Sequence, residues 1–268
     1  EALYDLRDKH QLSLDAKSDL KVTLDHFYGI EIDEWPARIA ETAMFMIDRQ
    51  CDLKLRERFG QAPERLPIHR EARIVVGNAL TLDWKSVMPL SGEVMVAGNP
   101  PFLGHATRSD AQALELRNVW GRDDISRLDY VTGWHAMSLR YLAHRPDSRF
   151  AFVSTNSITQ GDPVPHLFAP VFDGGWRIRF AHRTFPWQSD ATGKAAVHCV
   201  IVGFDRVATR GPPSTRAGLS PSWALALWTK STATSLQDRG SSSQSEAPPW
   251  PRASRRPPSA TCPEMTAT

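Results

Sequence analysis

Glu93-Val94-Met95-Val96-Ala97-Gly98-Asn99-Pro100-Pro101-Phe102 joins two kinds of chain. Its first six residues form a short, mostly apolar run with Val94 and Val96, which predicts a β-strand. Its last four cannot prolong that strand. Two consecutive prolines fix φ and lack N–H donors, so a stiff loop begins at Asn99. A strand that breaks this abruptly into a loop marks the edge where open parallel sheets hold ligands.

Outward from this stretch, short apolar runs alternate with helical spacing. Upstream, 26–32 and 73–77 read as strands. Residues 34–59 between them read as a helix, with Pro36 in its first turn and Ile39, Ala43, Met46 and Ile47 at helical intervals. Downstream, 129–143 reads as a helix and 149–154 as a strand. The runs 176–181 and 196–204 read as two closing strands joined by a polar loop. Strands alternating with helices predict a mostly parallel sheet covered on both faces, and the closing pair predicts an antiparallel strand near one edge.

The chain opens with Glu1, and 1–19 reads as a helix already under way, as in a piece of something longer. Residues 1–206 form the expected domain. Beyond Arg206 the character changes: 207–268 hold nine of the chain's 20 prolines and few apolar residues outside Trp223–Trp228. Such a stretch buries too little surface to offset its ordering entropy, so a disordered tail is expected. A flexible basic arm built on Arg252, Arg255 and Arg256, or an out-of-frame translation, are the alternatives.

Composition narrows the function classes. A net charge of +2 in 268 residues neither requires nor excludes a nucleic-acid partner. Cys51, Cys199 and Cys262 are widely separated, with no CxxC spacing for zinc, and an odd count argues against a disulfide framework. A reducing cytoplasm is the expected setting. No apolar run is long enough to span a bilayer. Cytosine C5 chemistry needs a cysteine nucleophile after proline, and the chain has no Pro-Cys step.

The residue types at 99–102 suit a particular problem. An exocyclic amine on an aromatic ring is a poor nucleophile, because its lone pair is delocalised. One acceptor on each N–H hydrogen favours a pyramidal nitrogen and frees that pair. Asn99 supplies one acceptor through its side-chain carbonyl, and the backbone carbonyl of Pro100 supplies a second. Pro101 stiffens the turn, and Phe102 offers a flat face for stacking. Acceptors fixed where positive charge develops are electrostatic preorganisation. Two weaker signals lie upstream. In Gly29-Ile30-Glu31-Ile32-Asp33, the acidic Glu31 at a strand end suits ribose hydroxyls, with Ile32 flanking a purine ring, while Asp33 equally suits a helix N-cap. In Gly77-Asn78-Ala79-Leu80, Asn78 is either a partner for an adenine edge or an ordinary turn asparagine.

The order Gly29–Asp33, Gly77–Leu80, Asn99–Phe102 resembles motifs II, III and IV of class I S-adenosylmethionine-dependent methyltransferases. The stretches FYGIEIDEWPARIAETAMFMIDRQ, VAGNPPFLG and AHRTFPWQSDATGKAAVHCVIVGF resemble the large MmeI-type restriction–modification enzymes over roughly 1–206. This resemblance implies a Rossmann-like sheet, S-adenosyl-L-methionine as cofactor, and methylation of adenine N6 in double-stranded DNA with the base flipped out. By position it places Glu31 and Ile32 on the cofactor ribose and adenine, Asn78 near that adenine, and Asn99, Pro100, Pro101 and Phe102 around the target base. It also implies that Phe185 or Trp187 packs on the flipped base, with core packing as the alternative.

Two departures qualify it. The family's first strand ends in a glycine-rich loop, yet residues 1–28 contain no glycine. That strand belongs between those at Gly29 and Glu93, so the sheet is expected to be incomplete at its centre. The family's target-recognition region is also not found after Arg206. An inactive fragment, or an enzyme acting on a protein glutamine, are the other readings carried forward.

Overall fold

The computed structural model describes residues 22–60, 71–88, 92–125, 127–187, 197–206 and 224–227. The helix expected over 1–19 lies outside them. Strand β1 (Phe27–Glu31) leads into the long helix α1 (Glu34–Phe59), which stops where Gly60 takes a left-handed conformation with φ 71°. Strand β2 (Arg73–Val76) and a short helix α2 (Trp84–Val87) follow, then β3 (Val94–Gly98). Helices α3 (Asp110–Trp120) and α4 (Thr132–Tyr141) separate β3 from β4 (Arg149–Thr155). Helix α5 (Pro163–Asp173) precedes the closing strands β5 (Trp176–Trp187) and β6 (Val197–Arg206).

These strands build one α/β sheet, completed by β7 (Ala224–Leu227), in the order β2-β1-β7-β3-β4-β6-β5. All pairs from β2 to β4 are parallel, and β6 runs antiparallel between β4 and β5. The antiparallel strand near one edge is therefore present. Strand β5 extends to Trp187, well past the expected end at 181. Two register shifts, between Ile178 and Phe180 and between His182 and Phe185, let it follow β6 that far.

The main core lies around β3, β4 and β6 and the helix α4, which is buried on almost every side from Thr132 to Ser138. Gly133 permits that close approach, since a Cβ there would meet Leu80 side-chain carbons at 3.0 Å. Helix α1 forms over the expected residues; Ile39, Met46 and Ile47 are more than half exposed, while Ala37 and Met44 are buried. Both stripes are apolar, and spacing alone does not say which meets the sheet. One expectation needs correction, for four residues of the tail expected to be disordered. Residues 224–227 lie in the centre of the sheet, pairing with β1 through Gly29↔Leu227 and with β3 through Val96↔Ala226. Strands flanking a central gap carry rows of backbone N–H and C=O groups that need partners, and an apolar segment satisfies them. The rest of 207–268 lies outside the described residues.

Candidate functional site

Strands β1, β2, β3 and β4 point the same way, so their carboxyl ends form one edge that gathers the separate sequence signals. Glu31 closes β1, Asn78 lies just past β2, and Asn99–Phe102 leaves β3. The pairing Thr155↔Cys199↔Phe185 carries that edge across to β5 and β6. Phe185 is half-buried there. Trp187 closes β5 opposite Val197, and its side chain is outside what the structure describes.

Pro100 is buried, while Asn99, Pro101 and Phe102 are half-buried. Phe102 packs against the main core with part of its surface still accessible. The side-chain oxygen of Asn99 is buried and has no hydrogen-bond partner among the described residues. A buried acceptor without a donor costs free energy, so an orphan of this kind at a ligand-holding edge points to a donor on the ligand.

The loop is held from behind by residues that the sequence did not single out. Asp129, only 6% exposed, accepts from the Leu103 N–H and the Val131 N–H at 3.1 Å each and from the Thr155 hydroxyl at 3.0 Å. Burial raises its carboxyl above the usual range, against the lowering effect of these three bonds and the nearby Arg108. The Tyr130 N–H donates to the Leu103 carbonyl at 3.0 Å. Thr184 on β5 donates to the Asn156 side-chain oxygen at 2.8 Å, just beyond β4. One network thus joins the 99–103 loop, the end of β4 and the stretch of β5 that carries Phe185. No sequence pattern announces it, because its partners lie 26 or 28 residues apart in the chain.

The β1–β2 side is built differently. Glu31 is buried, and its Oε1 accepts the Ile32 N–H at 3.0 Å. Ile32 beside it is 59% exposed, an apolar side chain left in the open at the strand end. Asn78 is engaged by the fold: its oxygen accepts the Leu80 N–H at 2.9 Å and its amide donates to Glu115 at 2.8 Å. Tyr130 donates to the other oxygen of Glu115. Burial, then Glu115, pushes the Tyr130 hydroxyl well above its usual range, so it stays protonated as that donor. Asn78 thus caps the turn after β2 and is tied through Glu115 and Tyr130 to the loop after β3. Among the described residues no cluster of His, Cys, Asp and Glu is arranged to hold a metal ion, and no helix is long and apolar enough to cross a membrane.

Comparisons with known proteins agree with this arrangement. Residues 3–213 match the family model described as MmeI, DNA-methyltransferase domain. The DNA methyltransferase A of Bacillus subtilis (strain 168) is 35% identical over 193 residues, covering 70% of this chain and 22% of that protein. The structure of the Type IIL restriction–modification enzyme MmeI in complex with DNA superposes with a TM-score of 0.63 at 39% identity, covering 73% of this chain and 26% of that one. The chain thus spans about a quarter of the length of these two relatives. With the sheet, its antiparallel strand and the strand-end motifs in their expected order, the chain belongs to the MmeI-type DNA-methyltransferase domain family, built on a Rossmann-like α/β sheet.

Proposed function

We propose that this chain carries the base-holding half of a DNA adenine-N6 methyltransferase, and that Asn99 to Phe102 grip the amine of an adenine flipped from the duplex. The observation that carries the reading is the buried, partnerless side-chain oxygen of Asn99 at the carboxyl edge of β3. An adenine amine offers two N–H donors. One meets this oxygen and the other meets the Pro100 carbonyl, while Phe102 supports the ring. Chemistry on a base inside a duplex is sterically closed, so the base has to leave the stack. In this reading Phe185 or Trp187, both late on β5, supplies the aromatic face that packs on the flipped base. The family pairs such a site with S-adenosyl-L-methionine, which supplies the methyl group.

The fit to that cofactor is uneven. Glu31 at the end of β1 and the exposed Ile32 suit a ribose and its purine. Among the described residues, the strand between β1 and β3 is followed in sequence by Trp228-Thr229-Lys230 and not by a glycine-rich loop for the methionine end. That observation favours a second statement: this stretch holds the target base without transferring the methyl group.

Both parts are open to measurement. A single-stranded oligonucleotide with one adenine should bind about ten-fold more tightly than the same strand carrying unsubstituted purine, which lacks the 6-amino group. Asn99→Ala should erase that difference. Equal affinities for the two strands in the unaltered protein sink the reading of the clamp. Incubation with methyl-labelled S-adenosyl-L-methionine and unmethylated duplex should leave the adenines unlabelled; labelled N6-methyladenine would overturn the second statement. A glutamine-containing peptide offered as acceptor is the control for the protein-directed alternative.

A further inference from the structure

A path of hydrogen bonds runs between the two groups of strand-end residues. It starts where the Glu31 carbonyl accepts the Gly77 N–H at 2.8 Å, which ties the end of β1 to the turn after β2. In that turn the Asn78 oxygen accepts the Leu80 N–H at 2.9 Å, and one of its two amide hydrogens goes to Glu115 at 2.8 Å. These two bonds fix which way round the amide stands, and so where its second hydrogen points. Glu115 lies on α3, whose neighbouring Leu116 and Val119 are sunk in the core. Its other oxygen accepts the Tyr130 hydroxyl. Tyr130 is 5% exposed, and its ring meets that of Trp134 edge-on with centroids 5.5 Å apart. A ring confined in this way passes the position of its hydroxyl to its own backbone. That backbone N–H donates to the Leu103 carbonyl at 3.0 Å, one residue past Phe102. The Glu115 carboxylate therefore takes one donor from each half of the sheet edge.

We propose that Glu115 is a positioning residue that makes the two halves of this edge bind their ligands cooperatively: a purine nucleoside at Glu31, Ile32 and Asn78, and the amine-bearing base at 99–102. The inference rests on the clamp reading above and adds a dependence that the clamp alone does not predict. A nucleoside whose ring nitrogen takes the second amide hydrogen of Asn78 holds that amide as Glu115 needs it. The carboxylate then has less freedom left to lose when the base orders the 99–103 loop, because one of its two bonds is already fixed. Linkage makes the effect reciprocal, so the base tightens the nucleoside by the same factor.

Two probes address the sites separately. Purine riboside carries the ribose and the ring nitrogens but no 6-amino group for the clamp. A single-stranded DNA oligonucleotide with one adenine among thymines carries the amine, on a sugar without the 2′-hydroxyl. In the full chain, saturating riboside should tighten the oligonucleotide about five-fold, and saturating oligonucleotide should tighten the riboside equally. Tyr130→Phe removes one hydroxyl from the path and leaves the Asn78–Glu115 bond and the backbone N–H of residue 130 in place. It should bring both ratios to about one, while each ligand alone binds within about two-fold of its affinity for the unaltered chain. Glu115→Ala should also abolish the ratios and weaken the riboside alone about three-fold, since Asn78 loses the acceptor that orients it. If these side chains only hold the fold, both variants lower the urea midpoint and leave the ratios intact. That result overturns the proposal, as does a ratio of one in the unaltered chain. An oligonucleotide that binds equally well with purine in place of adenine sinks the clamp first, and the proposal with it.

Discussion

Asp129 illustrates how much of a loop's geometry is decided by a residue outside it. One of its oxygens accepts the Leu103 and Val131 N–H groups, and the other accepts the Thr155 hydroxyl. Alanine at this position leaves two backbone donors without an acceptor in a buried setting, at a cost of about 3 kcal/mol. Asparagine keeps the oxygen that serves both backbone groups. Its amide then faces Thr155, whose hydroxyl can turn to the Ser157 side chain at 2.7 Å. Asp129→Asn should therefore cost only about 1 kcal/mol, also because it removes a carboxylate that burial already disfavours. Urea unfolding of the two variants reads both numbers, and a similar loss in each would mean that charge matters more than acceptor geometry. In the oligonucleotide assay Asp129→Ala should lower adenine preference without touching Asn99, since the Leu103 anchor sets where the clamp points. The proposed clamp stands out in the sequence because Asn-Pro-Pro-Phe is contiguous and its stiffness is local. Its support does not, because Asp129, Glu115, Tyr130 and Thr184 meet only after the chain has folded.

At the level of elements, local signals read well and facing does not. The α1 helix was legible to the residue, because Asp33 and Gly60 bracket it and its interior lacks breakers beyond Pro36 near the start. Which stripe turns inward depends on the sheet beneath. Helix α5 went unread, since Pro163, Pro165 and Pro170 interrupt its pattern, and the last of these sits inside the helix. Helix α3 also went unread, although its start carries a clear local device. Ser109 accepts the Gln112 N–H at 3.3 Å while the Gln112 side chain accepts the Ser109 N–H at 2.9 Å, and Gly121 closes the helix in a left-handed conformation with φ 66°. This cap anchors the far end of the loop that starts at Asn99, so α3 and Asp129 hold the loop between them. Ser109→Ala should lower stability by about 1 kcal/mol, read as a lower urea midpoint with an unchanged slope. A changed slope would show instead that the loop and helix separate from the rest during unfolding. The gap between β1 and β3 was expected because residues 1–28 contain no glycine to end the family's first strand. Its occupant was not, because four apolar residues in a Pro- and Ser-rich stretch carry too little pattern to outweigh their surroundings.

Over the molecule as a whole, one buried histidine ties stability to pH. His135 on α4 is fully buried, with its ring centroid 5.1 to 6.2 Å from those of Phe150 and Phe152 on β4 and Phe204 on β6. Its Nδ1 lies 3.3 Å from the Val131 carbonyl and so carries the proton, while Nε2 has no partner among the described residues. Burial is the main cause that lowers its pKa from 6.5 to about 4. No charged side chain stands among these ring partners to receive an imidazolium, so protonation in the folded state is disfavoured. The sign follows from linkage. Below pH 6.5 the unfolded chain takes up this proton and the folded chain does not, so stability falls as pH falls, until the folded form also titrates near pH 4. The full difference is about 3 kcal/mol, of which about 2 kcal/mol is lost between pH 7 and pH 5. The carboxylates act elsewhere or in the other sense. Asp205, held low mainly by its bond to Arg177, contributes stability that disappears only as pH falls through its depressed folded pKa, below 3.8. Asp129, held high by burial, is relieved as it protonates and so opposes the loss on the acid side. Between pH 7 and pH 5 the histidine lowers stability, and Asp129 acts with the opposite sign. His135→Leu fills a similar volume without a titrating group, and its unfolding free energy in urea should change less than that of the unaltered protein over this range, by about 2 kcal/mol. If both proteins lose the same stability from pH 7 to pH 5, the acid sensitivity belongs to the surface, and the packing of α4 against β4 and β6 is not what couples this fold to protons.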